Sequence, residues 1–293
     1  MATKTLAIFT PTYNRAYKLP DLYEALLRQT SDDFVWLVVD DGSKDGTEEL
    51  VQSYIDEGRI SIRYIYKENG GKQRAHNTAL ENCSEELFLT IDSDDYPTDN
   101  AVEVVISTWQ KWRDDGKIAG LVSLYGKTPA EPFVNRFKPS VCCTTVYDLY
   151  HKHHFVGDAV MVYRTALLKQ YPFELADGER FIGEDYVMLQ IDDNYQLATL
   201  NEIVAVHEYL EDGYSKNVRK VTRENPKSYM KLKRMHIDRA TNPVESIKST
   251  ALYLVGAYYA GVFTEEYKEI KNPLVALPSA LLAKLLVKYE FSK

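Results

Sequence analysis

Three carboxylates crowd four positions in the stretch Leu87 to Pro97, LFLTIDSDDYP: Asp92, Asp94 and Asp95. They follow Leu87, Phe88, Leu89 and Ile91, the short apolar run that a buried strand needs. Like charges this close repel, and a divalent cation relieves them. Oxygen ligands suit Mg2+ or Mn2+ rather than Zn2+, and such an ion in turn binds phosphates. The plainer reading is a turn and a helix start, with Asp95 or Thr98 as N-cap and Pro97 near the first helical turn. A second acidic pair, Glu184-Asp185, follows Gly183 and opens an apolar helical stretch. Its plain reading is that acids favour helix N-termini, where the dipole is positive.

The elements around these acids decide between the readings. Leu6 to Thr10 is an apolar strand ending in Pro11-Thr12-Tyr13-Asn14-Arg15. Leu19 to Leu27 carries helical spacing, and Phe34 to Val39 is a second buried strand ending in Asp40-Asp41-Gly42-Ser43. Helix over Gly46 to Tyr54, strand over Ile60 to Tyr66, a turn at Asn69-Gly70-Gly71 and helix over Lys72 to Asn82 precede the strand Leu87 to Ile91. Helix over Ala101 to Trp112 and strand over Ala119 to Tyr125 follow. This repeated β-α unit predicts an α/β fold with an open parallel sheet covered by helices. Ligands of such sheets bind at the carboxyl ends of the strands. Thr12, Asp41 and Asp94 all fall at that edge and so share one crevice. The paired glycines before Lys72 offer backbone N–H groups and a positive dipole end to an anion, with Lys72 and Arg74 adding charge.

Bulk composition bounds the rest. The 293 residues carry a formal net charge of −8, which argues against bulk attraction to nucleic acid. That charge is uneven, because Lys216 to Arg239 holds nine Lys/Arg and two acids. Cys83, Cys142 and Cys143 are odd in number with one adjacent pair, which fits a reducing cytoplasm rather than a disulfide framework. The opening MATKTLAIFTPTYN lacks a leader's long apolar core, and no apolar run is long enough to span a bilayer.

Taken together, Thr10-Pro-Thr-Tyr-Asn-Arg15, Val38-Val-Asp-Asp-Gly-Ser-Lys-Asp-Gly-Thr47, Asn69-Gly-Gly-Lys-Gln-Arg-Ala-His-Asn-Thr-Ala79 and Asp92-Ser-Asp-Asp95 resemble the ordered motifs of family 2 glycosyltransferases. The resemblance covers roughly residues 4 to 215. It implies an inverting enzyme of the GT-A fold, a Rossmann-like, mostly parallel sheet with helices on both faces, over 1–215. A basic C-terminal helical region, 216–293, follows it. It implies a nucleotide-diphospho-sugar donor, usually UDP-linked, a glycan or lipid-linked glycan acceptor, and Mn2+ or Mg2+ as cofactor. Pro11, Thr12, Tyr13, Arg15 and Asp41 carry over to the nucleobase slot, with Asp40 buttressing the loop. Gly71, Lys72, Arg74, Asp92 and Ser93 carry over to the rest of the nucleotide site, and Asp94 to the metal. The family more often has Ala-Arg-Asn where this chain has Arg74-Ala75-His76-Asn77. The Glu-Asp pair at this place in the family supplies the catalytic base, which assigns that role to Asp185, with Glu184 supporting it or binding the acceptor. Several members use a His as third metal ligand, which points to His207; a structural His at a strand end is the equal alternative. Tyr209, Tyr214, Ser215, Lys216 and Arg219 resemble a segment that closes on the donor pyrophosphate.

Other features read less specifically. Val141 to Tyr147 and Phe155 to Tyr163 are expected strands, and Asp158 is a candidate to face the sugar. His151, His153 and His154 lack a firm ligand spacing and read as surface residues. Val244 to Phe263 is an expected helix. Leu274, Leu277, Leu281, Leu285 and Tyr289 recur at helical spacing with Lys284 and Lys288 nearby. Core packing is one reading of that stretch; docking on the anionic cytoplasmic face of a membrane is the other. A nucleotidyltransferase usually carries a Gly-rich loop with Arg after the first strand, where this chain has TPTYNR. A catalytically inactive nucleotide-sugar or glycan-binding protein is the remaining alternative. No motif specifies the oligomeric state.

Overall fold

The computed structural model describes residues 4–133, 135–207 and 214–291, without the side chains of 214–216. The chain divides into two compact units. One comprises Met1–Pro172 with Val187–Leu210, the other Phe173–Tyr186 with Glu211–Lys293.

The first unit begins as a β-α alternation: β1 (Leu6–Thr12), α1 (Leu19–Leu27), β2 (Phe34–Asp40), α2 (Thr47–Glu57), β3 (Ile62–Tyr66), α3 (Lys72–Glu81) and β4 (Leu87–Thr90). Then come β5 (Asp95–Pro97), α4 (Ala101–Trp109), β6 (Ile118–Gly126), β7 (Cys143–Thr144), α5 (Val146–His151), β8 (Ala159–Arg164) and α6 (Thr165–Leu168). After α7 (Asp185–Asp192), β9 (Gln196–His207) completes a sheet of nine strands among the described residues, in the order β3-β2-β1-β4-β8-β6-β9-β5, with β7 also on β9. Every residue of β2 is buried, which is why it reads as an unbroken apolar run rather than an alternating one. Beneath it Trp36, Tyr23 and Tyr54 stack, the two tyrosine rings 3.8 Å apart.

β1, β2, β3, β4, β6 and β9 run one way, so the sheet is mostly parallel. It is not wholly so. β8 inserts antiparallel between β4 and β6, and β5 and β7 run antiparallel to β9. Gly120 permits the β6–β8 approach, because a Cβ there would stand 1.9 Å from Val162 O.

Three expected elements differ. The strand expected over Val141 to Tyr147 shrinks to Cys143–Thr144 and turns into α5. The Thr145 side chain accepts from Asp148 N, and the Asp192 carboxylate accepts from Val146 N and Tyr147 N at 2.9 and 2.7 Å, so this helix start is capped twice. The strand expected from Phe155 starts only at Ala159. Neither Asp95 nor Thr98 caps a helix: Asp95 lies in β5, Thr98 Oγ1 donates to Ile203 O, and α4 begins after Asn100.

The second unit holds α8 (Tyr214–Glu224), α9 (Pro226–Arg239), α10 (Pro243–Tyr259), α11 (Phe263–Lys268) and α12 (Pro273–Tyr289). Gly256 on α10 leaves room for α9, since a Cβ there would meet Met230 Cγ at 2.7 Å. Phe173–Tyr186, read from sequence as part of the first 215 residues, packs within this helical unit. Among the described residues no helix is long and apolar enough to cross a membrane.

Candidate active site

In the first unit, the loops after β1 and β2 are tied together by their own polar residues. Asn14, in the left-handed region at φ 52°, donates its N–H to Ser43 Oγ at 2.8 Å, and its side-chain oxygen accepts from Lys44 N at 2.8 Å. Ala16 N donates to Asp45. Thr12 is buried at the end of β1, and its hydroxyl has no hydrogen-bond partner among the described residues. Pro11 is half-buried and Tyr13 is exposed on the same loop, and the Arg15 guanidinium bonds the Tyr17 hydroxyl.

Asp41 has a different place from the one its motif suggests. Its side chain is buried, and its carboxylate accepts from Lys67 Nζ (2.6 Å), Gly70 N (2.9 Å), Gly71 N (2.7 Å) and Asn69 Nδ2 (3.1 Å). Four donors fill the acceptor sites of a carboxylate. The anion expected at the glycine turn before α3 is therefore supplied by the chain itself. The expectation that the Gly70 and Gly71 N–H groups stand open to a phosphate is corrected: Asp41 holds both. Gly42 lets this loop close, because a Cβ there would lie 2.9 Å from Asn69 N. Asp40 buttresses the same loop, accepting from Ser43 N and the Tyr64 hydroxyl at 2.7 and 2.8 Å. Burial pushes the Tyr64 hydroxyl up, and Asp40 pushes it further.

The three carboxylates after β4 part company. Asp92 pairs with Lys72, Nζ to Oδ2 at 2.7 Å, while Arg74 turns back to Gly70 O at 2.8 Å. Ser93 is buried. Asp95, buried in β5, stands opposite His207 of β9, with Nδ1 2.6 Å from Oδ1. Asp95 holds the imidazole above its usual range despite burial, and the charges of Asp94 and Asp158 add to this. Burial in turn pushes the Asp95 carboxyl up, against the hydrogen bond from His207. The charges of Asp94 and Asp158 thus add to the Asp95 hydrogen bond in favouring the charged imidazole. This donor set, hard oxygens and one imidazole, fits Mn2+ or Mg2+. Asp95 would orient the ring as an outer partner, leaving ligation to Nε2. Among the described residues no three His, Cys, Asp or Glu side chains already converge on one point. The sequence does not show this role of Asp95, because the pairing is set by sheet register across 112 residues.

Glu184 and Asp185 belong to the second unit, and α9 positions them. Glu179 accepts from Lys227 N (2.8 Å) and Ser228 N (2.6 Å) at the start of α9. Asn225 Oδ1 accepts from Arg180 N and Phe181 N at 2.6 and 3.0 Å, and Lys231 pairs with Glu174 at 2.6 Å. This reciprocal capping fixes the segment that ends in the acidic pair. His236 Nε2 then lies 2.8 Å from Asp185 Oδ2. Tyr229, Lys233 and His236, spaced i, i+4, i+7, form one face of α9. Burial pushes the Asp185 carboxyl up, but the His236 hydrogen bond and the Lys233 charge outweigh it, and the group lies below its usual range. Burial brings Lys233 below its ordinary value, opposed by Asp185. The Asp185 side chain is 37% exposed. Gly183 is required sterically: a Cβ there would stand 2.5 Å from Asp185 Oδ1 and 2.8 Å from Leu232 Cδ2. Glu184 is exposed. The helical spacing of Tyr229 and His236 is visible in the sequence, but nothing local in 226–239 points it at Asp185.

Tyr209 lies outside the described residues, as do the side chains of Tyr214, Ser215 and Lys216. Arg219 pairs with Glu290. His151 stacks on Tyr147 at 4.1 Å, and His153 and His154 lie at least partly exposed.

The Glycosyl transferase family 2 model matches residues 7–171. The poly(ribitol-phosphate) beta-N-acetylglucosaminyltransferase TarS of Staphylococcus aureus (strain Mu50 / ATCC 700699) is 24% identical over 209 residues, 67% of this chain and 36% of that one. An uncharacterized glycosyltransferase of Rickettsia typhi is 37% identical over 106 residues, 36% of this chain and 32% of that one. The chain thus spans about a third of the length of the curated relatives it matches. Among solved structures, S. aureus TarS 1-349 in complex with UDP-GlcNAc superposes with a TM-score of 0.59 at 16% identity, over 97% of this chain and 92% of that one. The mannosyltransferase PcManGT from Pyrobaculum calidifontis, in complex with GDP-Man and Mn2+, gives 0.58 at 18% identity, over 99% and 88%. These likenesses show the GT-A fold. The matched model covers more than half of the chain, which belongs to glycosyl transferase family 2.

Proposed function

We propose that the chain moves a sugar from a nucleotide-diphosphate donor, UDP-linked, to a hydroxyl of a glycan or lipid-linked glycan, with inversion. The observation that carries this reading is the Asp185–His236 contact at 2.8 Å with Lys233 beside it. A carboxylate kept ionised by a hydrogen bond and a nearby cation is ready to accept a proton.

Thr12, Tyr13 and Arg15, with Pro11, line the nucleobase side, and the Asp41-clamped loop keeps them in place. Lys72 and Arg74 counter the diphosphate, with Lys72 shared with Asp92 beside Ser93. Asp94 and His207 would hold Mn2+ or Mg2+, with Asp95 orienting the imidazole. When bound, the cation neutralises charge on the departing diphosphate. Asp185 takes the proton of the acceptor hydroxyl. That oxygen forms a bond to the anomeric carbon on the face opposite the diphosphate, as the bond to the diphosphate oxygen breaks. The proton then leaves Asp185 to solvent. Glu184 supports the acceptor. Tyr214, Ser215 and Lys216 remain proposed closure residues.

The test is transfer from a panel of UDP-, GDP-, dTDP- and CDP-sugars, with and without Mn2+, for wild type and Asp94→Ala. Transfer from a UDP-sugar that needs Mn2+ and Asp94 is the expected result. Nucleotide binding with no turnover of any sugar favours the binding-only alternative.

A further inference from the structure

α12 is built inside out. The face it turns to its neighbours is Ala276, Ser279, Ala280 and Ala283, with Ser279 Oγ donating to Ile247 O of α10 at 3.1 Å. The face it turns to water carries the large side chains. Leu274 is 80% exposed, Leu277 59%, Leu281 57%, Leu285 54% and Tyr289 53%. These positions recur every three or four residues, so they form one continuous stripe along the helix. Isolated exposed leucines are ordinary, but an aligned row of four with a tyrosine is an interaction surface.

Charge selects the occupant. No Asp or Glu occurs in the 17 residues of α12, and its two lysines, Lys284 and Lys288, fall on the exposed side among the leucines. Lys268 and Lys271 line an open groove that runs beside Leu277. A second copy laid along the same stripe would bring no carboxylate on this helix to meet Lys284 and Lys288. An anionic lipid surface meets both demands: acyl chains take the leucines, and head groups take the lysines, whose long stems reach to the interface. A tyrosine at the end of the stripe suits the same boundary. With 17 residues, two of them lysines, the helix is not long and apolar enough to cross a bilayer, which leaves binding along its surface.

We propose that the exposed face of α12, from Leu274 to Tyr289, docks on a bilayer containing anionic lipid. This deepens the proposed use of a lipid-linked acceptor, yet it is read without turnover, so it stands or falls apart from the sugar-transfer reading. The experiment is co-sedimentation of the full chain with vesicles of phosphatidylcholine alone or mixed with phosphatidylglycerol, at low and high salt. Wild type, Leu277→Glu/Leu281→Glu and Lys284→Glu/Lys288→Glu are compared, with thermal melting to show that each is folded. All four side chains sit on the exposed face, so the fold is expected to survive. The expected result is wild-type binding to the phosphatidylglycerol vesicles alone, loss in the leucine variant, and at least about tenfold weaker partition in the lysine variant, with salt acting the same way. Wild type that stays in the supernatant with phosphatidylglycerol overturns the proposal. So does a self-associated wild type that ignores vesicles and becomes monomeric in the leucine variant, which would assign the stripe to a second copy.

Discussion

Asp185 has two neighbours that matter, and their effects are separable by substitution. Removing His236 takes away a hydrogen bond that favours the ionised carboxylate, so the carboxyl rises toward or past its ordinary value of 3.8. The acid limb of kcat/KM therefore moves to higher pH in His236→Ala, and kcat falls at neutral pH because the base is less well placed. His236→Gln is expected to restore part of both. An unchanged acid limb in a folded His236→Ala protein would remove His236 from this role. Stability follows the same sign. A carboxyl depressed on folding contributes stability that is full above its unfolded value and is lost as pH falls through the folded one. Gly183 gives a second test at the same centre. In Gly183→Ala the new methyl collides with Asp185 Oδ1 and Leu232 Cδ2, so transfer is expected to fall at least about tenfold while nucleotide affinity holds.

At the scale of elements, carboxylates are used as internal anions. Asp41 fills the start of α3, Asp192 the start of α5 and Glu179 the start of α9. Each satisfies backbone donors that a helix leaves open. Glu179→Ala is expected to lower stability by about 1–2 kcal/mol, read as a lower melting temperature, and to reduce transfer by loosening the segment that carries Asp185. Glu85 plays the corresponding part between elements, receiving both guanidinium arms of Arg63 at 3.0 and 3.2 Å. Burial raises its carboxyl, but Arg63 and the neighbouring backbone bring it below 4.5. Its contribution is thus present above pH 4.5 and fades as pH falls through the lower folded value. Glu85→Gln should cost about 1–3 kcal/mol at pH 7, with the gap to wild type narrowing in acid melts.

At the scale of the molecule, periodicity made most elements legible. Strands β1 to β4, and the helices α1 and α3, follow from apolar runs between Gly and Asp turns, and the motifs at their ends point to one sheet edge. The exceptions have physical causes. β5 is three residues long, and its Asp-Tyr-Pro reads as a turn until β9 pairs with it. β8 reads as an apolar strand, and nothing in that run fixes its direction between β4 and β6. Asp41 carries a nucleotide-site motif, while the four donors that fill it arrive from Lys67 to Gly71, a register that local spacing does not specify. The alliance of residues 173–186 with α9 rests on hydrogen bonds some 50 positions apart.

The most direct test of the account is sugar transfer and UDP binding measured side by side for wild type and Asp185→Asn, which keeps the shape and removes the base. Transfer is expected to fall by about 10²–10⁴-fold while UDP affinity stays within about twofold. Asp185→Asn protein that transfers sugar at the wild-type rate would contradict the account, because the proton would then be leaving through another group.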